Sequence, residues 1–136
     1  MRITTHLSFD GRCNAAIKFY QEALGAKLLV KMTWGESPMA KDAPPETHDL
    51  IMHSTLAVGD AHIMCADAPP ERYQKPAGMT VAINVTDKSE GERIFKALST
   101  NGSVSMPYSE TFWSPGFGMC TDQFGIPWMV NCDQPV

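Results

Sequence analysis

The sequence predicts an α+β fold made of two βαβββ modules in tandem, residues 1–67 and 79–136, joined by a linker over 68–78. Three observations carry that reading. The order strand, helix, three strands can be traced twice along the 136 residues. Phe9 and Val85 are 76 positions apart, and so are Phe19 and Phe95, so the two copies keep register. Neither half holds enough apolar residues for a core of its own, so the modules are expected to pack together as one domain.

The first strand is read over Ile3–Phe9, where apolar and polar residues alternate. Asp10-Gly11 breaks it. Cys13, Ala16, Ile17, Tyr20, Ala23 and Leu24 then recur at helical spacing, and Gly25 stands where a helix ends in a left-handed residue. Lys27–Trp34 reads as the second strand. Gly35–Thr47 holds Pro38, Pro44 and Pro45 among mixed charges and is read as a long loop, of the kind that serves as a lid, a partner contact or a disordered segment. Asp49–Val58 and Ala61–Ala66 form a hairpin about Gly59-Asp60. The stretch from Asp67 to Gly78, with Pro69-Pro70 and Pro76, supplies the linker.

The pattern then restarts. Thr80–Val85 is a strand with Val81, Ile83 and Val85 on one face. Asp87 can cap a helix, Glu90 stands three residues on as in a capping box, and Ile94, Phe95 and Leu98 form the apolar stripe. Asn101-Gly102 stops it. Three strands follow, within Val104–Trp113, Phe117–Thr121 and Pro127–Cys132. The stretch Met106–Asn131, dense in aromatics, glycines and methionines, is the most constrained part of the chain.

Composition excludes several classes of function. With 43% apolar and 19% charged residues the chain is an ordinary globular protein. Its net charge of −4 comes without a basic stripe, so no nucleic-acid partner is expected. The longest apolar run falls far short of the roughly 20 residues a membrane helix needs. The N-terminus begins directly with strand-like alternation, so no membrane partner and a cytoplasmic location are expected. Cys13, Cys65, Cys120 and Cys132 are never in C-x-x-C spacing and read as buried reduced thiols. There is no nucleophile elbow, phosphate-binding glycine loop or H-E-x-x-H motif.

Phe9-Asp10-Gly11, Ala16-Ile17, Phe19-Tyr20 and Leu24-Gly25-Ala26 form one set of recognisable residues. The more specific set is Met106-Pro107, Glu110-Thr111-Phe112-Trp113, Phe117-Gly118, Asp122, Phe124-Gly125, Trp128 and Asn131. On these the whole chain resembles the glyoxalase/bleomycin-resistance group, the vicinal oxygen chelate superfamily, and within it the PhnB-like branch. The resemblance implies curved sheets enclosing a pocket between the two modules, and a homodimer. Edge strands in each module add to the expectation of a dimer. In metal-using members a quartet of His and Glu side chains, one from the first and one from the last strand of each module, holds a divalent ion.

Transferred residue by residue, those positions fall on Thr80 and Met129 in the second module and on Met64 in the first. The fourth falls on Thr5 when counted back from Phe19-Tyr20, or on His6 when Leu7 and Phe9 are kept in the core. At most one of these is a metal-binding side chain, so no metal and no cofactor are expected. The function expected is metal-independent binding of a small molecule. The alternative is a lyase, isomerase or dioxygenase-type enzyme that uses a divalent metal or acid–base chemistry at His6 and Glu110.

The candidate pocket residues are His6, His53, Met64, Thr80, Glu110, Trp113 and Met129. His6 and His53 lie on polar faces of strands, where each is either a pocket imidazole or a partner within the sheet. His48 and His62 read as surface residues. Glu110 beside Thr111-Phe112-Trp113 must be solvated or paired, and could serve as a base or recognise a cation. Trp34, Phe112, Trp113 and Trp128 are of the type that buries for packing. Trp128 reads as core, and Trp113 as a rim residue against the pocket or a dimer contact.

Overall fold

Each module folds as a four-stranded sheet with one helix against one of its faces. The computed structural model describes residues 1–135, and the chain separates into two units that divide after Gln74.

In the first unit β1 (Thr5–Phe9), α1 (Cys13–Leu24), β2 (Lys27–Thr33), β3 (Ile51–Val58) and β4 (Ala61–Asp67) form a sheet in the order β1-β4-β3-β2. β1 runs parallel to β4, and the other pairs are antiparallel. Cys13, Ala16, Ile17, Tyr20 and Ala23 are the buried stripe of α1. That stripe faces Leu7, Phe9, Leu56, Ile63 and Cys65, the inward set of the strands. Gly25 ends the helix at φ 67°, as its position predicts. A bulge at Met52 shifts the pairing from Met32–His53 to Thr33–Ile51, which returns Ile51 to the buried face.

The second unit repeats the plan with β5 (Val81–Val85), α2 (Lys88–Ser99), β6 (Ser103–Ser109), β7 (Phe117–Thr121) and β8 (Pro127–Cys132), in the order β5-β8-β7-β6. Ile94, Phe95 and Leu98 are buried, together with Cys120, Trp128, Val130 and Cys132 from the strands. Asp87 caps α2 by accepting from the Ser89 N–H at 3.2 Å, one residue earlier than a capping box requires. Asp122 ties down the turn before β8. Its Oδ1 accepts from Phe124 N and Ile126 N, and its Oδ2 accepts from Trp128 Nε1 at 2.8 Å.

The structure corrects five local expectations. β1 starts at Thr5, and Ile3 is 92% exposed. Asp67 is the buried last residue of β4 rather than the first of a linker. β6 ends at Ser109, because Thr111 N donates to Ser114 O and closes a turn where strand was expected. Phe112, in that turn, is 92% exposed although its size predicted burial. The 35–47 stretch is also more regular than an open loop, with 3₁₀ turns at Ala40–Asp42 and Pro45–Thr47. Among the described residues no helix is long and apolar enough to cross a membrane.

Candidate functional site

With a helix against one face of each sheet, strand pairing determines which residues share the other, open face. In the first unit His6 is paired with Met64, Met64 with Thr55, and Thr55 with Val30. Paired residues on neighbouring strands project to the same side, so this row crosses the sheet on the face away from Leu7, Leu56 and Ile63. His53 stands one step along β3, paired with Met32. His6, His53 and Met64 are therefore brought to one face. Thr5 is paired with the buried Ile63 and projects to the other. His6 is the side chain beside Met64.

The surroundings of His6 disfavour its charged form. Its edge is open to solvent, yet the adjoining strands withdraw enough water to lower its pKa, and a charge on His53 adds to the effect. Cys65, next to Met64 in sequence, points the opposite way. It is fully buried on the helix side, and Ser54 Oγ donates to its carbonyl. Cys13 shares that interior, where burial first, and then Cys65 and Asp67, push its thiol far above its ordinary value. All four cysteines are buried, and none forms a disulfide among the described residues.

In the second unit the matching row is Ala82, Met129, Met119 and Met106, in that order across β5, β8, β7 and β6. Three half-buried thioethers lie side by side. Met129 is paired with Ala82, while Thr80 precedes β5 and is exposed. The next row holds Asn84, Asn131 and Phe117. Asn131 Nδ2 donates to Asn84 Oδ1 at 3.3 Å and to Asp133 Oδ1 at 3.2 Å. Among the described residues its own Oδ1 is buried without a partner.

Trp113, 43% exposed, packs edge-on against Phe117 at 5.2 Å and against Phe112 at 4.8 Å. It thus stands at the edge of this face, reached from the turn that follows β6. Glu110 is exposed at the start of that turn. The residues that sequence reasoning missed are Ala82, Met106, Met119 and Asn131. Their signal was present in the alternation of β5 to β8, but only pairing shows that they are neighbours.

These faces offer imidazoles, thioethers, amides and an indole. Such a donor set does not fit the His/Glu quartet that holds a hard or borderline divalent ion. Among the described residues no three His, Cys, Asp or Glu side chains converge as metal ligands.

A family model described as 3-demethylubiquinone-9 3-methyltransferase matches residues 1–131. Protein YjdN of Escherichia coli (strain K12) is 39% identical over 141 residues, spanning 96% of this chain and 95% of YjdN. Protein PA1353 from Pseudomonas aeruginosa superposes with a TM-score of 0.90 at 41% identity over 99% of both chains. The PhnB protein from Bacillus cereus superposes with a TM-score of 0.81 at 22% identity, over 97% of this chain and 99% of its own. A glyoxylase/bleomycin resistance protein/dioxygenase domain from Frankia sp. EAN1pec shares the fold at 10% identity, with a TM-score of 0.68 over 98% of both chains.

Proposed function

Because the chain belongs to the PhnB-like family described as 3-demethylubiquinone-9 3-methyltransferase, with the glyoxalase/bleomycin-resistance fold, we propose that it binds a small molecule without the help of a metal ion. The observation that carries this reading is the pair of rows on the open sheet faces. At two of the positions where the resemblance places metal ligands stand His6 beside Met64, and at a third stands Met129, whose neighbour on β5 is Ala82 and not the expected Thr80.

Thioethers are soft and conformationally adaptable, so Met106, Met119 and Met129 form a surface suited to an apolar, planar ligand. His6 and His53 add polar contacts on their own sheet, and Trp113 adds an aromatic edge on the other. Thr80 and Glu110, both exposed, are the outlying members of the candidate set. A homodimer and a cytoplasmic location complete the proposal, the latter supported by four buried cysteines outside any disulfide, which suit a reducing compartment.

A thermal-shift screen in the presence of chelator tests the reading. It is supported if an apolar small molecule raises the Tm with chelator present and Met129→Ser abolishes the shift. It is overturned if only a divalent ion, or only a sulfonium methyl donor, stabilises the protein; the second result would favour the methyl transfer that the family's description names. Light scattering at micromolar concentration tests the dimer.

A further inference from the structure

We propose that a cleft in the first unit, between the 35–50 segment and the end of β4, is a second binding site that takes a small organic cation with an apolar body. The cleft has a volume of about 420 Å³. That lies within the roughly 300–1,000 Å³ of small-molecule sites. Trp34, Pro44, Leu50, Pro69 and Pro70 supply its apolar wall.

Its polar lining is one-sided in charge. Asp42, Glu46 and Glu71 line it, and among the described residues no Lys or Arg does. The ion pairs found among the described residues, Arg12–Asp10 and Lys96–Glu92, involve none of these three carboxylates. Asp67 also lines the cleft, but both its oxygens accept backbone N–H groups, from Gly11 and Cys13 at Oδ1 and from Ile51 at Oδ2. It serves as framework, and the other three carboxylates are left to meet a ligand. An ammonium seated against the indole of Trp34 would gain from the ring's quadrupole and from the carboxylates together, and an anion would be repelled.

The backbone that carries Asp42 and Glu46 is held in place. Asp42 and Glu46 sit on the two 3₁₀ turns, and His48 Nε2 lies 3.1 Å from both Ala40 O and Ala43 O. Two carbonyl acceptors require that nitrogen to carry the proton. Gly35 N donates to His48 O and Trp34 N to Leu50 O, each at 3.0 Å, which ties both ends of the segment together. A rim already ordered spares the ligand the cost of ordering it.

The test titrates phenyltrimethylammonium into the full chain, followed by the Trp34 indole N–H and backbone amides in ¹H–¹⁵N spectra. Benzenesulfonate, of similar shape and opposite charge, is the control. The cation is expected to shift Trp34 and the 40–50 amides, and the sulfonate to leave them in place. Glu46→Gln with Glu71→Gln should weaken the cation about five-fold, the scale of two partly exposed charge pairs. Trp34→Leu should weaken it as well. Both Gln sites are exposed, so an unchanged Tm shows that the fold is kept. Equal binding of the sulfonate, shifts confined to the open sheet faces, no shift at Trp34, or wild-type affinity in the double Gln variant would each overturn the proposal. The cleft lies within the first unit and shares no residue with the methionine row, so its response is read separately from ligand binding on the open faces.

Discussion

The Asp67 carboxylate accepts a hydrogen bond from the backbone N–H of Cys13 at 3.0 Å, joining the end of β4 to the first residue of α1. The same oxygen takes Gly11 N at 2.9 Å, and its partner oxygen takes Ile51 N at 2.9 Å. The first turn of a helix has N–H groups without intrahelical partners, and a negative charge there is favourable. In the second unit the position paired like Asp67 is Cys132, and α2 is capped by its own neighbour Asp87. The two modules satisfy the same requirement from different places in the sequence, the end of β4 in one and the residue before α2 in the other.

Asp67→Ala is therefore expected to destabilise the protein by about 3 kcal/mol, since three backbone donors lose a charged acceptor in a buried place. Asp67→Asn should cost less, because one oxygen remains. Urea denaturation of the two variants checks the order, and equal stability of Asp67→Ala and wild type would refute the account.

Gly118 lies beneath Tyr108 and Phe95, whose rings stack at 5.8 Å, and the Tyr108 hydroxyl donates to Lys88 O at 3.1 Å. A Cβ at Gly118 would come within 2.8 Å of Phe95 Cε2 and 2.9 Å of Tyr108 Cα. Gly118→Ala should cost about 2–3 kcal/mol through overpacking. Gly59, at φ 57° with nothing within 4 Å of an added Cβ, should cost only about 1–2 kcal/mol from backbone strain on the same change. Thermal denaturation of the two Ala variants tests that ranking.

For His6 the folded pKa lies below 6.5, the value to which it returns on unfolding. Between the two values the unfolded state binds more protons, so stability rises with pH across that window and is lost as pH falls through it. His6→Gln should flatten this slope. His53→Gln should move the His6 midpoint, read from its imidazole proton resonances, upward. A His6 midpoint at or above 6.5 in the native protein would contradict the burial argument.

All four thiols are buried, and burial raises the pKa of both Cys13 and Cys120. A thiol-specific disulfide reagent at mildly alkaline pH should label none of them rapidly in the native protein and all of them once urea is added. Prompt labelling of one thiol before unfolding would show an open path to it.

Much of the fold was legible because its elements follow local periods. Alternation located β7 at Phe117–Thr121 and β8 at Pro127–Cys132, and helical spacing located α1 up to Gly25. The aromatic run Thr111-Phe112-Trp113 misled, since bulky apolar residues favour strands only where a partner strand covers them. Here Ser114 O closes a turn on Thr111 N instead. Asp67 misled because its partners lie 16, 54 and 56 positions back in the chain and leave no local trace.

The sequence by itself determined the element order of the two βαβββ modules, the end of α1 at Gly25, the Asp87 cap of α2 and the buried stripes of both helices, all consequences of side-chain period and backbone geometry. Tertiary structure alone decided which candidates stand together. His6 meets Met64, and Met129 meets Ala82 rather than Thr80, because parallel pairing of first and last strands sets a register across the whole module. A slip of one residue would send every side chain to the opposite face, and no local pattern of β1 or β5 specifies where its distant partner begins.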